Sequence, residues 1–82
     1  MTQAKVRIDP ALADLSRSAW EALIYEANLG SETTEIAKQY YIDRRCQIDI
    51  AIDKDIDRKT VYRKLTTARR RVEQVYYDRL KS

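Results

Sequence analysis

Residues 47–65 read QIDIAIDKDIDRKTVYRKL, and the fold turns on this stretch. It divides into two helical segments around a polar turn at Lys54 and Asp55. Ala51 is the small residue at which two helices can cross closely, and Ile56 follows the turn as a plug between them. Val61 and Leu65 recur at helical spacing and face Ile50 and Ala51. Burying that set turns Arg58, Lys59, Tyr62, Arg63 and Thr66 outward. Two helices joined by a tight turn, the second with basic and hydroxyl side chains outside, is the layout of a helix-turn-helix, whose second helix enters the DNA major groove. The alternation of Ile48, Ile50 and Ile52 also suits a strand, but a lone strand has nothing to pair with.

The segments around this stretch extend the helical reading. Residues 1–8 carry no apolar stripe and are expected to form a flexible arm ahead of one helical domain over residues 9–82. Asp9 followed by Pro10 is a helix-start pair opening a short turn through Asp14. Ser18 and Glu21 match a capping box, with Trp20, Leu23, Ile24 and Ala27 as the apolar stripe behind it. Gly30 is expected to end that helix in a left-handed conformation, and Ser31 to cap the next. Ile36, Ala37, Tyr40 and Tyr41 form the following stripe, which ends near Ile42. Asp43, Arg44 and Arg45 make a polar connector. The first motif helix is expected from Cys46 to Asp53, with Ile48, Ile50, Ala51 and Ile52 available for burial. Asp57 caps the last helix, whose stripe runs through Val61, Leu65, Ala68, Val72, Val75 or Tyr76, and Leu80. That helix is expected to span about 23 residues, or roughly 35 Å. Its surplus length would pack on the Trp20 helix or on a second copy. The fold class is therefore all-α: a small bundle of about four helices, with a helix-turn-helix near residues 46–66 and a long C-terminal helix.

Composition narrows the function classes. The 82 residues include 44% hydrophobic and 35% charged side chains, enough apolar material for one modest core. With no histidine and a single cysteine, Cys46, the chain offers no intramolecular disulfide, no Cys/His zinc site and no histidine base. That argues against an enzyme, and no cofactor or metal is expected. Asp53 and Asp55 lack a ligand set and read as solvated. Nothing approaches a membrane span or the apolar core of a signal peptide, so a reduced cytoplasmic setting is expected. The formal charge of +3 is uneven: residues 57–82 hold nine bases against three acids, and residues 1–56 seven bases against ten acids. Positive charge gathers where the second motif helix lies, as phosphate binding requires.

The residues expected to touch double-stranded DNA are Arg58, Lys59, Thr60, Tyr62, Arg63 and Thr66 on the recognition helix (residues 58–66), with Arg70 beyond it and Arg44 and Arg45 before the first motif helix. Arginine suits paired hydrogen bonds to guanine, while Lys59 and Thr60 at the helix start equally suit phosphate. Tyr40, Tyr41, Tyr76 and Tyr77 fall on apolar stripes and read as packing residues more than as base-stacking platforms.

The spacing IA-x-x-x-x-I-x-x-x-TV-x-x-x-L, carried by Ile50, Ala51, Ile56, Thr60, Val61 and Leu65 and preceded by Gln47, resembles region four of bacterial sigma factors, the part that reads an upstream promoter element. It is also similar to small phage-encoded transcriptional regulators that share this helix-turn-helix. The segment EIAKQYY at residues 35–41 resembles the helix that precedes the motif there, so the likeness covers about residues 31–72. In the turn that family has an apolar residue and then glycine, where this chain has Lys54 and Asp55. The other sigma regions do not appear in these residues, so a complete sigma factor is not expected. The resemblance implies a sequence-specific transcriptional regulator of bacterial or phage origin. Useful specificity from one small domain calls for a homodimer on a palindrome or a partner such as RNA polymerase. Two alternatives are a protein-binding module that grips RNA polymerase or inhibits a host nucleic-acid enzyme, and the DNA-recognition subunit of a phage packaging machine.

Overall fold

A computed structural model describes residues 10–81, and every regular element among them is helical. The expected arm at residues 1–8, the Asp9 cap and Ser82 lie outside the described residues. A single turn, α1 (Pro10–Ala13), leads into α2 (Arg17–Ala27) and α3 (Ser31–Ala37). The last of these widens into a π-turn at Lys38–Ile42, and α4 (Gln47–Lys54) and α5 (Arg58–Lys81) complete the chain. At 24 residues, α5 is the longest element and the spine of the bundle. Along its one apolar stripe it carries two separate clusters.

The first cluster joins Leu12, Trp20, Leu23, Ile24, Ala27 and Ala37 to Ala68 and Val72. The surplus length of α5 thus packs back on the Trp20 helix. The second joins Ile36, Ile50, Ala51, Val61 and Leu65, with Ile56 partly buried against it. These are the residues whose spacing predicts the helix-turn-helix. Tyr41 packs against both clusters, its ring stacked on Trp20 at 5.2 Å between centroids. The π-turn makes this possible: its Asp43 N–H donates to the Lys38 carbonyl at 3.0 Å, five residues back. The wider turn lets neighbouring residues Tyr40 and Tyr41 both face inward, where a regular helix would splay them by about 100°.

Several boundaries differ from the sequence reading, each for a local reason. Ser16 caps α2 in place of Ser18, its Oγ accepting from the Ala19 N–H at 3.2 Å. Starting two residues earlier puts Leu15 just ahead of the cap and Trp20 in the second turn. Both belong to the first cluster, in the positions of a hydrophobic staple. Glu21 pairs with Arg17 at 3.6 Å and closes no capping box. Asn28, at φ 53°, is the left-handed residue that ends α2, and Gly30 at φ 86° precedes α3 in the cap position expected of Ser31. Ile48 and Ile52 are exposed, at 41% and 72%, because the packed face of the eight-residue α4 is filled by Gln47, Ile50 and Ala51. Leu80 is also exposed: the stripe outruns the elements available to cover it.

Candidate nucleic-acid interface

The turn between α4 and α5 fixes the angle of the second helix. The Ile56 N–H donates to the Ala51 carbonyl at 3.0 Å and the Asp55 N–H to the Ile52 carbonyl at 3.2 Å. This is the Schellman pair of hydrogen bonds that closes a helix C-terminus, and the accompanying apolar contact joins Ile56 and Ala51 in the second cluster. Its left-handed position is Asp55, at φ 55°, a conformation that glycine adopts without steric cost. Lys54, in place of an apolar plug, is largely covered and pairs with Glu35 of α3. The Asp57 carbonyl then accepts from the Val61 N–H at 3.1 Å, so α5 begins with Arg58.

From that start the helical period sorts the side chains. Val61, Leu65, Ala68 and Val72 face the core. Lys59, Arg63, Thr66 and Arg70, at steps of four, three and four, lie along the opposite side. Arg58, Lys59, Tyr62, Arg63 and Arg70 are exposed, while Thr60 and Thr66 are half-buried. The Thr66 hydroxyl donates to the Tyr62 carbonyl of its own helix at 2.9 Å, which leaves only its lone pairs for an outside donor. Thr60 and Arg63 line a shallow surface depression with Thr33, Lys64 and Thr67. Thr33 and Thr67 escape the sequence reading. Thr67 stands one turn beyond Arg63 and was findable by spacing; Thr33 comes from α3 and becomes a neighbour only through tertiary packing.

Charge pairing divides the cations among the described residues into two groups. Arg17 pairs with Asp43 at 3.0 Å, Arg45 with Asp53 at 2.5 Å, Lys64 with Glu32 at 3.3 Å and Arg69 with Glu73 at 3.8 Å. Arg79 pairs with Glu26, and Arg71 donates to the Ala27 carbonyl at the end of α2. Lys59, Arg63 and Arg70 on the outer face of α5, and Arg58 beside its core-facing stripe, have no ion-pair partner among the described residues; Lys38, Arg44 and Lys81 have none either.

Arg44 and Arg45 are adjacent in sequence and differ in state. Arg45 donates to both Gln39 and Asp53, and the hydrogen bond to Asp53 raises its pKa above the usual guanidinium value. Arg44 is exposed, left-handed at φ 60° and without an ion-pair partner among the described residues. Both line a second depression with Trp20, Tyr40 and Tyr41, apart from the one that holds Arg63. Of the predicted site residues on α5, Lys59, Arg63, Thr66 and Arg70 share one side, Arg58 and Tyr62 lie on one flank and Thr60 on the other, while the connector arginines border a different hollow. No helix among the described residues is long and apolar enough to cross a membrane. No protein-family model, curated protein or solved structure matches this chain.

Proposed function

We propose that this chain is a sequence-specific DNA-binding transcriptional regulator whose helix-turn-helix, α4 and α5, presents residues 58–66 to the major groove. The observation that carries the proposal is the distribution of unpaired cations. A solvated helix face acquires partners wherever carboxylates are near, as on both flanks of α5. The outer face retains Lys59, Arg63 and Arg70 unpaired, ready for phosphate oxygens and base edges. The resemblance of residues 31–72 to region four of sigma factors points the same way.

The dimensions suit the task. Lys59 and Arg70 are eleven residues apart, about 16 Å along a helix. The major groove is about 12 Å wide. A helix lying across it puts Lys59 and Arg70 near the phosphates of opposite edges, with Tyr62, Arg63 and Thr66 over the bases between them. Arg58, beside the core-facing stripe, reaches the phosphate that flanks the helix start. The regulator would work in the cytoplasm of a bacterium or a phage-infected cell, as a homodimer or beside RNA polymerase, since one such module makes a small DNA interface.

Selection of bound duplexes from a random pool, with mass measured in parallel, tests the proposal. Enrichment of a palindrome is the expected outcome and would establish DNA reading and dimerisation together. A pool that stays random after repeated rounds would end it.

A further inference from the structure

The outer face of α4 differs from that of α5 in every respect. Ile48 and Ile52 stand one turn apart and expose 41% and 72% of their surface. Beside them runs a second row, Asp49 and Asp53, and Asp55 follows at the helix end. Residues 47–57 hold four acids and one base, and that base, Lys54, is held by Glu35 on another side of the helix. Arg45 offsets Asp53. Asp49 and Asp55 have no ion-pair partner among the described residues. These two isoleucines add nothing to either core cluster, so the fold gives no reason for their being apolar. The carboxylates repel phosphate, so this face turns away from any nucleic acid.

We infer that the outer face of α4 is a docking surface for a protein partner that presents an apolar ridge flanked by lysine or arginine. Charge complementarity selects that occupant: the isoleucine row takes the ridge, and Asp49 and Asp55 take the flanking cations. An amphipathic helix with apolar residues at i and i+4 has the matching spacing. The exposed apolar area is small, which suits a transient contact and not an obligate assembly. The surface is separate from the outer face of α5, and the inference stands whether or not α5 reads DNA.

The test titrates the isotopically labelled full chain with a synthetic helical peptide bearing leucines at i and i+4 with lysines alongside, and with the same peptide carrying glutamates. Saturable NMR shifts confined to residues 47–55, seen with the lysine peptide only, are expected. Ile52→Ser and Asp49→Lys should each weaken binding about tenfold, as loss of an anchor residue does. Both positions are exposed, and unchanged thermal melting would show that the variants remain folded. Shifts centred outside residues 47–55, equal binding by the variants, or no saturation would each overturn the inference. So would a concentration-dependent doubling of mass that Ile52→Ser abolishes, which would assign the face to a second copy of the chain.

Discussion

The two halves of α5 share one unbroken apolar stripe yet hold their charges differently. The first half closes the cluster of Ile36, Ile50, Ala51, Val61 and Leu65, and its Arg58, Lys59 and Arg63 are unpaired among the described residues. The second half closes the cluster around Trp20; its Arg69, Arg71 and Arg79 are engaged by Glu73, the Ala27 carbonyl and Glu26, while Arg70 on the outer face is unpaired among the described residues. The difference follows from which carboxylates lie within reach. Next to the first half, Glu32 already holds Lys64, Glu35 holds Lys54, and Asp53 holds Arg45. Glu32, Glu35 and Asp53 are thus occupied by inward or lateral cations, and the outer face of α5 stays uncompensated. The inward and lateral cations fasten the bundle, and the outer face, carrying Lys59 and Arg63 in the first half and Arg70 at the start of the second, is left with charge to present.

The largest effect should come from breaking the shared stripe at the motif. Leu65 is fully buried between α4 and α5, and Leu65→Ala removes its contacts and leaves a cavity. Such changes cost about 2–5 kcal/mol, a large part of the stability of so small a domain. Urea unfolding should show the midpoint falling with little change in slope. A loss well under 1 kcal/mol would mean that the two motif helices are not held by this contact.

Tyr41, packed on both clusters, tests them together. Burial pushes its phenol pKa far above the ordinary 10.0, with the neighbouring Tyr40 adding to the shift. The unfolded chain therefore releases this proton near pH 10, while the folded chain keeps it. The folded state then binds more protons, and stability falls as pH rises from about 10 toward the folded pKa. Melting temperatures measured from pH 8 to 11 should drop, and Tyr41→Phe, which removes the titration, should drop less. Parallel curves for the two proteins would contradict the burial of that hydroxyl.

If α5 reads DNA as proposed, truncations on its outer face and at its fastening contacts should differ in effect. Arg63→Ala should weaken binding to a selected duplex by about 1–3 kcal/mol and relax its sequence preference, as loss of a paired base contact does. Lys59→Ala and Arg70→Ala should weaken all sequences alike, each lowering the slope of log K against log salt by about one. Arg79→Ala, at a fastening contact, should leave affinity unchanged. Equal losses for Arg63 and Arg79 in gel shifts would erase the distinction.

The asymmetry between halves was legible in part. The buried set of Ala51, Ile56, Val61 and Leu65 follows from spacing alone, because helical period and residue size leave one way to close a short helix pair. The length of α5 follows too, since neither glycine nor proline interrupts residues 58–81. The pairing of cations could not be read: Arg79 meets Glu26 across 53 positions, and Arg44 and Arg45 differ only through where Asp53 and Gln39 lie. Exposure of Ile48 and Ile52 was equally hidden, because composition reports how apolar a helix is and not how many neighbours it has. The cap of α2 moved from Ser18 to Ser16 since two serines offer the same oxygen and only the packing of Leu15 chooses between them.

Asp55 offers a smaller and opposite effect. A left-handed backbone costs a non-glycine residue roughly 1–2 kcal/mol, and a carboxylate at the end of α4 also faces the negative pole of that helix. Asp55→Gly should therefore stabilise the chain by about 0.5–1 kcal/mol, part of the relief being offset by the entropy of glycine in the unfolded chain. Since the Schellman hydrogen bonds come from the backbone, the angle of α5 should be retained, and with it the proposed DNA binding. A destabilised variant would imply that the Asp55 carboxylate makes a contact stronger than the strain.

The smallest effect is expected at the fastening contact itself. Arg79 and Glu26 are each close to half exposed, so their pairing is screened by solvent, and such bridges contribute about 0.2–1 kcal/mol. Arg79→Ala should lower stability by no more than that in low salt and by less in high salt. The guanidinium joins the last turns of α5 to α2 beyond Val72, the last fully buried residue of the stripe. Hydrogen exchange should therefore quicken in the final turns of α5 before any change reaches residues 58–66. Faster exchange across the motif as well would show the two halves to be one cooperative unit, with the paired and unpaired charges resting on the same stability.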